Sequence, residues 1–329
     1  MKYCKKWRDT TMFEKVIPLI NEAHKIGIFT HITPDGDAMG SAYGLKLALE
    51  SLGKECRVFL NDSPDRPAYD LMKKGPDTEL QPSDCDLLVA LDSADIGRLG
   101  KFGEIFSEHK NTIAIDHHIT HVKYASSGTV VCEISSTCEL LCTLLDEIGV
   151  ELTKDIANDL YIGIATDTGS FKYSSVSGDT LRTAARLVDT GIPFSYLTNM
   201  LFDTKTFEYY DLLKTALSKL KLRCGGRVAL MYLSEDDFKN ADIDEAHAAG
   251  IVNIPGSIKG VKVGVYIRHR ASGEYKISLR SNNSVDVSAV AAHFGGGGHV
   301  RASGYSVRNK SVQQICSELI GELEKIWQD

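Results

Sequence analysis

The stretch Leu87-Leu88-Val89-Ala90-Leu91 is uninterrupted apolar sequence and is followed directly by Asp92. A short apolar run of this kind is typical of a strand buried on both faces of a parallel sheet. Similar short runs predict three further strands, at 26–30, 57–60 and 112–115. Apolar residues at helical spacing predict helices at 40–51, 139–148 and 156–166. This pattern of strands and helices predicts an α/β domain whose parallel sheet carries helices on both faces.

The second half of the chain has a different pattern. Apolar runs at 261–267 and 275–279 flank a turn that contains Gly273 and predict a hairpin. A further strand is predicted at 228–233 and a helix at 287–293, while 205–222 has the spacing of one long helix. At about 150 residues per domain, a chain of this length suits two domains. We therefore expect a larger N-terminal domain, a connecting helical linker and a smaller C-terminal α/β domain, at residues 1–190, 191–222 and 223–329.

The composition is that of a globular protein, with 43% apolar and 25% charged residues among 329. No stretch approaches about 18 consecutive apolar residues, and the first residues lack the apolar core of a signal peptide, so we expect a cytoplasmic protein without a membrane partner. The eight cysteines are scattered and form no Cys-x-x-Cys pair. We expect them to be buried thiols in a reducing compartment rather than disulfides.

The charge is unevenly distributed along the chain. Residues 1–222 hold 24 Lys and Arg against 32 Asp and Glu, a net charge of −8, whereas residues 223–329 hold 13 against 12. A total of −7 argues against a protein that coats long nucleic acid through a broad basic surface. Residues 259–280 nevertheless hold six basic residues against Glu274 alone, which indicates a local basic face in the second half.

Four clusters of carboxylates and imidazoles stand out. They are His31-Ile32-Thr33-Pro34-Asp35-Gly36-Asp37, Asp92, Asp116-His117-His118 and Asp167-Thr168-Gly169. Three of them follow predicted strands, at the sheet edge where open α/β folds place their sites. Each cluster alone could be a surface turn, but together their residue types suit Mn²⁺, Mg²⁺ or Zn²⁺. Because the groups exceed what one ion needs, they favour two ions that share a carboxylate, an arrangement that clamps phosphate oxygens.

A fifth cluster lies in the second half, at Gly295-Gly296-Gly297-Gly298-His299-Val300-Arg301. Glycines allow backbone N–H groups to approach a ligand closely, and nests of such groups bind anions. His299 and Arg301 add side-chain donors beside them. The alternative is a flexible loop next to a solvated hairpin. Together with the basic face at 259–280, the cluster predicts a phosphate-binding site.

In their order along the chain, these motifs resemble those of the DHH/DHHA1 phosphoesterases, specifically the nano-RNase and pAp phosphatase group. The resemblance covers nearly the whole chain. It implies that His31 and Asp35 hold one Mn²⁺, that Asp37, His117 and Asp167 hold a second, and that Asp92 bridges them. It also implies catalytic roles for Asp92, for His118, which would face the substrate phosphate, and for Asp116, which would orient the site. The implied substrate contacts are His118, Arg98, Arg280, Ser281, Gly296, Gly297, Gly298, His299 and Arg301.

The resemblance implies an Mn²⁺-dependent phosphodiesterase and 3′-phosphatase, with Mg²⁺ as the alternative cation. Its expected substrates are short single-stranded RNA or DNA, 3′-phosphoadenosine 5′-phosphate (pAp), and linear or cyclic di-adenylate, bound between the two domains. Long duplex nucleic acid is not expected. Two alternatives stay open: a pyrophosphatase or exopolyphosphatase of the same superfamily, and a non-catalytic nucleotide sensor. The oligomeric state also stays open, with a homodimer as one option.

Overall fold

The computed structural model describes residues 12–61, 67–245, 247–248, 250–270, 272–282 and 285–326. It divides into two compact units, Met1–Thr204 and Lys205–Asp329. The strands of the first unit are β1 (Lys25–Phe29), β2 (Glu55–Phe59), β3 (Leu87–Leu91), β4 (Thr112–Asp116) and β5 (Ser127–Val130). Its helices are α1 (Ile17–Glu22), α2 (Gly36–Ser51), α3 (Pro67–Asp70), α4 (Gly103–Glu108), α5 (Thr137–Glu147), α6 (Lys154–Asp167), α7 (Gly178–Asp189) and α8 (Phe194–Thr198).

The first unit is built on an all-parallel sheet of five strands in the order β2-β1-β3-β4-β5. All five residues of β3 are buried, as the uninterrupted apolar run predicts. Alternate residues of β3 belong to different cores, since Val89 packs with residues of α2, α5 and α6 whereas Leu88 packs with Phe106 of α4. The predicted parallel sheet with helices on both faces is therefore confirmed.

Two local features of the first unit differ from the prediction. Helix α2 begins at Gly36, not at residue 40, because the Asp35 side chain caps it by accepting from the backbone N–H groups of Asp37 and Ala38. Strand β5 was not predicted. It lies at the sheet edge, pairs with β4 and alternates polar and small residues, so it lacks the apolar run that marks the inner strands.

Helices α2, α5 and α6 approach one another closely at glycines. A Cβ atom at Gly40 would lie 2.4 Å from the carbonyl oxygen of Asp159, and one at Gly163 would lie 2.1 Å from Sγ of Cys138. Any larger residue at either position would push two helices apart. This packing brings the start of α2 against the start of α5.

The described residues of the second unit form a sheet of six strands and four α-helices. The strands are β6 (Lys221–Arg223), β7 (Val228–Leu233), β8 (Val263–His269), β9 (Glu274–Ser281), β10 (Gly297–His299) and β11 (Ala302–Arg308). The helices are α9 (Phe207–Ser218), α10 (Glu235–Asn240), α11 (Val287–His293) and α12 (Val312–Lys325). The strand order is β10-β11-β9-β8-β7-β6, with β7 and β8 parallel and the other pairs antiparallel. The smaller α/β domain and its β8–β9 hairpin are thus confirmed.

The long helix predicted at 205–222 is wrong in extent. Helix α9 ends at Ser218, and the chain then forms β6, which pairs with β7. Leu220, which fits the helical spacing, packs at the edge of a core formed by Leu212, Met231 and Phe238. The boundary between the two units falls within the predicted linker 191–222.

The cysteines are less uniformly buried than expected. Seven are described and all are free thiols: Cys56, Cys85, Cys138 and Cys142 are buried, Cys132 is exposed, and Cys224 and Cys316 are half-buried. Burial raises the pKa of Cys56 and Cys142 to about 12. Cys4 lies outside the described residues. Among the described helices, none has the length and apolar character needed to cross a bilayer.

Candidate metal centre

Asp35 and Asp37 enter the candidate site from the turn between β1 and α2. Asp35 uses Oδ1 to cap α2, with both bonds at 3.1 Å, which leaves Oδ2 for another partner. Asp37 lies in the first turn of α2 and is buried. Its carboxylate accepts from the backbone N–H groups of Thr137 at 2.7 Å and Cys138 at 2.9 Å, at the start of α5. Burial raises the pKa of Asp37, although the nearby His117 opposes the shift.

Asp92 lies directly after β3 and has a left-handed backbone conformation, with φ of 54°. Such a conformation costs about 1–3 kcal/mol in a non-glycine residue and is found mainly at functional sites. Its N–H donates to the carbonyl oxygen of Ile115, and its carboxylate accepts from the Thr137 hydroxyl at 3.0 Å. Burial raises the pKa of Asp92 well above its usual range, and repulsion from Asp37, Asp35 and Asp167 adds to the shift. The charged form of a carboxylate that is buried beside other carboxylates is poorly stabilised without a cation.

Three histidines lie around Asp92 at distances longer than hydrogen bonds, and one of them is His118, whose Nδ1 is 3.7 Å from Oδ1. His31 Nε2 is 3.9 Å from Oδ2 of Asp92, and His117 Nε2 is 3.5 Å from Oδ1. His117 Nε2 is also 3.5 Å from Oδ2 of Asp167 and 3.9 Å from Oδ2 of Asp37. With metal–ligand bonds of about 2.1 Å in octahedral geometry, adjacent ligand atoms lie about 3 Å apart and opposite ones about 4 Å. The observed spacings therefore fit those expected for ligands of a shared cation.

The ligand atoms fall into three overlapping groups, each with its members within 4.8 Å of one another. The groups are His31, Asp35 and Asp92; Asp37, His117 and Asp167; and Asp92, His117 and His118. Asp92 contributes to two of them, as a bridging carboxylate would. Burial raises the pKa of Asp167 to about 8, and repulsion from Asp37 and Asp35 contributes. Together the groups contain four carboxylates and three imidazoles, a donor set that fits two divalent cations.

Asp116 holds two imidazoles beside the candidate metal ligands. It is fully buried, and its two carboxylate oxygens accept from Nδ1 of His118 at 2.7 Å and Nδ1 of His121 at 2.6 Å. Burial opposes ionisation of Asp116, but the hydrogen bonds from His118 and His121 lower its pKa overall. The bond to Asp116 raises the pKa of His118. The sequence analysis missed His121, whose only signal is an imidazole five residues after Asp116.

Arg98, the outlying candidate of the first unit, lies next to the first cluster. Its carbonyl oxygen accepts from the N–H of Ile32, directly after His31. Its guanidinium is close enough to His118 to counteract part of the increase in that residue's pKa. Arg98 therefore brings an exposed positive charge near the His118 imidazole.

The candidate residues of the second unit mostly surround the loop after β9. Ser281 Oγ donates to the carbonyl oxygen of Val285 at 2.6 Å, and Arg301 donates to the carbonyls of Asn282 and Val285 at 3.1 and 3.2 Å. Arg280 donates from Nε to Oδ1 of Asn253 at 3.2 Å, a partner that the sequence analysis did not identify.

The glycine run is partly strand rather than loop. Gly297–His299 forms β10 and pairs with β11. A Cβ atom at Gly296 would lie 2.2 Å from the carbonyl oxygen of Gly304, and Gly298 has φ of 134°. These two glycines are therefore required by the pairing itself. The side chain of His299 lies outside what the structure describes.

The fold and the donor set define an α/β protein with a carboxylate and imidazole centre suited to two cations, and comparisons with known proteins agree. A family model described as the N-terminal domain of the DHH family matches residues 25–164, and one described as the DHHA1 domain matches residues 225–325. The chain is 34% identical to the bifunctional oligoribonuclease and PAP phosphatase NrnA of Thermus thermophilus, over 95% of this chain and 93% of that protein. It is 25% identical to the Bacillus subtilis protein of the same name, over 90% and 93% of the two chains.

A solved structure has the same fold throughout. The crystal structure of an exopolyphosphatase-related protein from Bacteroides fragilis superposes with a TM-score of 0.89 at 26% identity, over 98% of both chains. The chain therefore belongs to the DHH family of phosphoesterases and carries a DHHA1 domain. It is accordingly a hydrolase of phosphoester bonds, and the family is metal-dependent.

Proposed function

We propose that this protein is a two-metal phosphoesterase that hydrolyses short oligoribonucleotides and pAp. The observation that carries the proposal is that Asp92 belongs to one ligand group with His31 and Asp35 and to another with His117. His117 in turn belongs to the group with Asp37 and Asp167. The relatives named as oligoribonucleases and PAP phosphatases, which match along nearly their whole length, support the substrate class.

In this proposal the ligands are divided between two cations. His31 and Asp35 hold one cation, whereas Asp37, His117 and Asp167 hold the other, and Asp92 bridges them. Mn²⁺ is the proposed ion and Mg²⁺ the alternative, since imidazole ligands favour Mn²⁺ over Mg²⁺, which is bound mainly by oxygen ligands. The bound cations would polarise the phosphate and supply an activated water. The backbone N–H groups of Thr137 and Cys138, at the start of α5, fix the orientation of the Asp37 carboxylate.

His118 provides the proton chemistry. Because Asp116 accepts from Nδ1, that nitrogen carries a proton and Nε2 is left for the substrate. The raised pKa of His118 favours the imidazolium form, which donates to a phosphate oxygen or to the departing oxygen. His121 occupies the second oxygen of Asp116, so the carboxylate cannot rotate away from His118. Arg98 adds positive charge on the same side.

The second unit is proposed to bind the phosphate end of the substrate. Its basic face at 259–280 supplies the charge, and the proposed contacts are Arg280, Ser281, Gly296, Gly297, Gly298, His299 and Arg301. Arg301 and Ser281 act by fixing the loop after β9, since both donate to its carbonyl groups. Holding one phosphate in place positions the scissile bond, and such positioning supplies much of an enzyme's rate.

One assay panel tests the proposal. Purified protein with Mn²⁺ is given the dinucleotide pApA, a five-residue RNA, a long RNA, pAp, cyclic di-adenylate, pyrophosphate and polyphosphate. We expect turnover of pApA, the five-residue RNA and pAp to exceed that of the long RNA and of both inorganic substrates. Faster hydrolysis of polyphosphate or pyrophosphate would support the alternative enzyme class, and polyphosphate is included because of the name of the Bacteroides fragilis protein. Tight pApA binding without turnover would identify a sensor.

A further inference from the structure

We infer that Thr137, the first residue of α5, is a positioning residue that links the two ligand groups and sets the spacing between their cations. Its hydroxyl donates to Oδ1 of Asp92 at 3.0 Å, and its backbone N–H donates to Oδ2 of Asp37 at 2.7 Å. This inference rests on the proposed two-cation function, because it concerns how the same ligands are held.

Thr137 is the one described residue for which hydrogen bonds to both of these carboxylates are recorded. Asp37 and Asp92 come from different elements, α2 and the end of β3, and belong to different ligand groups. Their relative position therefore depends on a third element that contacts both. Helix α5 provides that contact through one residue.

All three side chains are shielded from water. Thr137 is fully buried, and Asp37 and Asp92 are 1% and 2% exposed. Solvent cannot replace a hydrogen bond lost in such a place, so the orientation of Asp92 depends on the protein donor. With Oδ1 accepting from Thr137, the remaining lone pairs of Asp92 face the cation positions in a fixed orientation.

The Thr137 hydroxyl is not needed to start the helix. Ser136 is the residue that caps α5, with its hydroxyl accepting from the N–H of Glu139 at 3.0 Å. Valine, which has the same shape as threonine, would support the helix equally well at position 137. The hydroxyl is therefore explained by Asp92 and not by the helix.

The test compares Thr137→Val, Thr137→Ser and a matched control. Thr180→Val is that control, because Thr180 is also fully buried and donates to a buried carboxylate, that of Glu139, outside the ligand groups. Isothermal titration calorimetry measures Mn²⁺ binding, and electron paramagnetic resonance measures the coupling between bound Mn²⁺ ions. Steady-state assays with pApA give kcat and KM. Circular dichroism checks folding, and Thr137→Ala replaces the valine variant if that one does not fold.

We expect Thr137→Val to weaken Mn²⁺ binding about 10–100-fold, the range found when a group that orients a metal ligand is removed. The spectrum should show altered coupling between the ions, and KM for pApA at saturating Mn²⁺ should stay within about two-fold of the unmodified value. Thr137→Ser, which keeps the hydroxyl, should restore binding, and Thr180→Val should lower stability without changing Mn²⁺ affinity. Unchanged affinity and coupling in folded Thr137→Val would overturn the inference.

The outcome is separable from that of the proposed function. If the unmodified protein binds two Mn²⁺ but hydrolyses no member of the panel, the proposed function fails while the binding data still decide the role of Thr137. If the unmodified protein is active and Thr137→Val binds Mn²⁺ normally, the positioning role alone fails.

Discussion

Asp116 accepts a hydrogen bond of 2.6 Å from Nδ1 of His121 with one carboxylate oxygen, while the other oxygen holds His118. The carboxylate is fully buried and thus fixed on both sides. We expect His121→Leu to lower kcat about 10-fold, less than the roughly 100-fold or greater loss expected for His118→Ala, because general acid–base groups contribute about 10²–10⁴-fold.

Two further variants control for this prediction. His121→Asn keeps a donor and should retain most of the activity. His109→Leu removes another half-buried imidazole, whose ring nitrogens contact backbone groups of Asn111 and Cys85 outside the candidate site, and should leave kcat unchanged. Full activity in His121→Leu would show that Asp116 needs no second partner.

The crowded carboxylates make the stability of the metal-free protein depend on pH. Burial and mutual repulsion raise the pKa values of Asp37, Asp92 and Asp167, the last to about 8. Groups whose pKa is raised on folding destabilise the fold progressively as pH rises above their ordinary values near 4 toward their folded values. The Tm of the metal-free protein should therefore fall between pH 5 and pH 8, and Asp167→Asn should reduce that fall.

Mn²⁺ should remove this dependence, since bound cations neutralise the carboxylates. Differential scanning fluorimetry should show a larger increase in Tm on adding Mn²⁺ at pH 8 than at pH 5. An increase in Tm that is equal at both pH values would contradict the assignment of these carboxylates to the cations.

Gly163 leaves room for the Asp37 carboxylate. A Cβ atom there would lie 2.1 Å from Sγ of Cys138 and 3.0 Å from Oδ1 of Asp37. Gly163→Ala should lower the free energy of unfolding by about 1–3 kcal/mol through overpacking, and should also weaken Mn²⁺ binding. Gly321→Ala in α12 meets nothing within 4 Å and should instead raise stability by about 0.5–1 kcal/mol. Chemical denaturation and calorimetry measure both effects, and a neutral Gly163→Ala would disprove the tight fit.

Arg280 is the second-unit residue whose removal should act on binding. A guanidinium–phosphate contact is worth about 1.5–3 kcal/mol, so Arg280→Ala should raise KM for pApA about 10–100-fold with little change in kcat. Arg308→Ala is the matched control, because Arg308 is an exposed arginine at the end of β11 whose guanidinium lies 3.9 Å from Glu274. A loss confined to kcat would place Arg280 in the chemistry instead.

The sequence predicts the elements that carry an uninterrupted or periodic apolar pattern. Strand β3 is found at Leu87–Leu91 because nothing but the buried sheet suits five consecutive apolar residues. The edge strand β5 and the true start of α2 are missed, since a polar edge and a side-chain cap are not apolar patterns. The helix predicted at 205–222 is too long because Leu220 fits a helical spacing as well as it fits the core that it contacts.

The same distinction applies to the site. Most of the proposed metal ligands could be located from the sequence because they follow strands, and the sheet brings strand ends together. Asp167 is instead the last residue of helix α6. Thr137 and His121 could not be located in this way, because their roles arise from packing between segments: Thr137 lies 100 residues from Asp37 in the sequence. Residues that position other side chains form no motif that the sequence alone would reveal.

The central claim is that two cations share Asp92. Crystals of the protein grown with Mn²⁺ and measured at the manganese absorption edge test it directly. Two anomalous peaks per chain are expected, about 3.5–4 Å apart, with the Asp92 carboxylate between them, His31 and Asp35 at one, and Asp37, His117 and Asp167 at the other. A single peak, or two peaks of which only one contacts Asp92, would contradict the account.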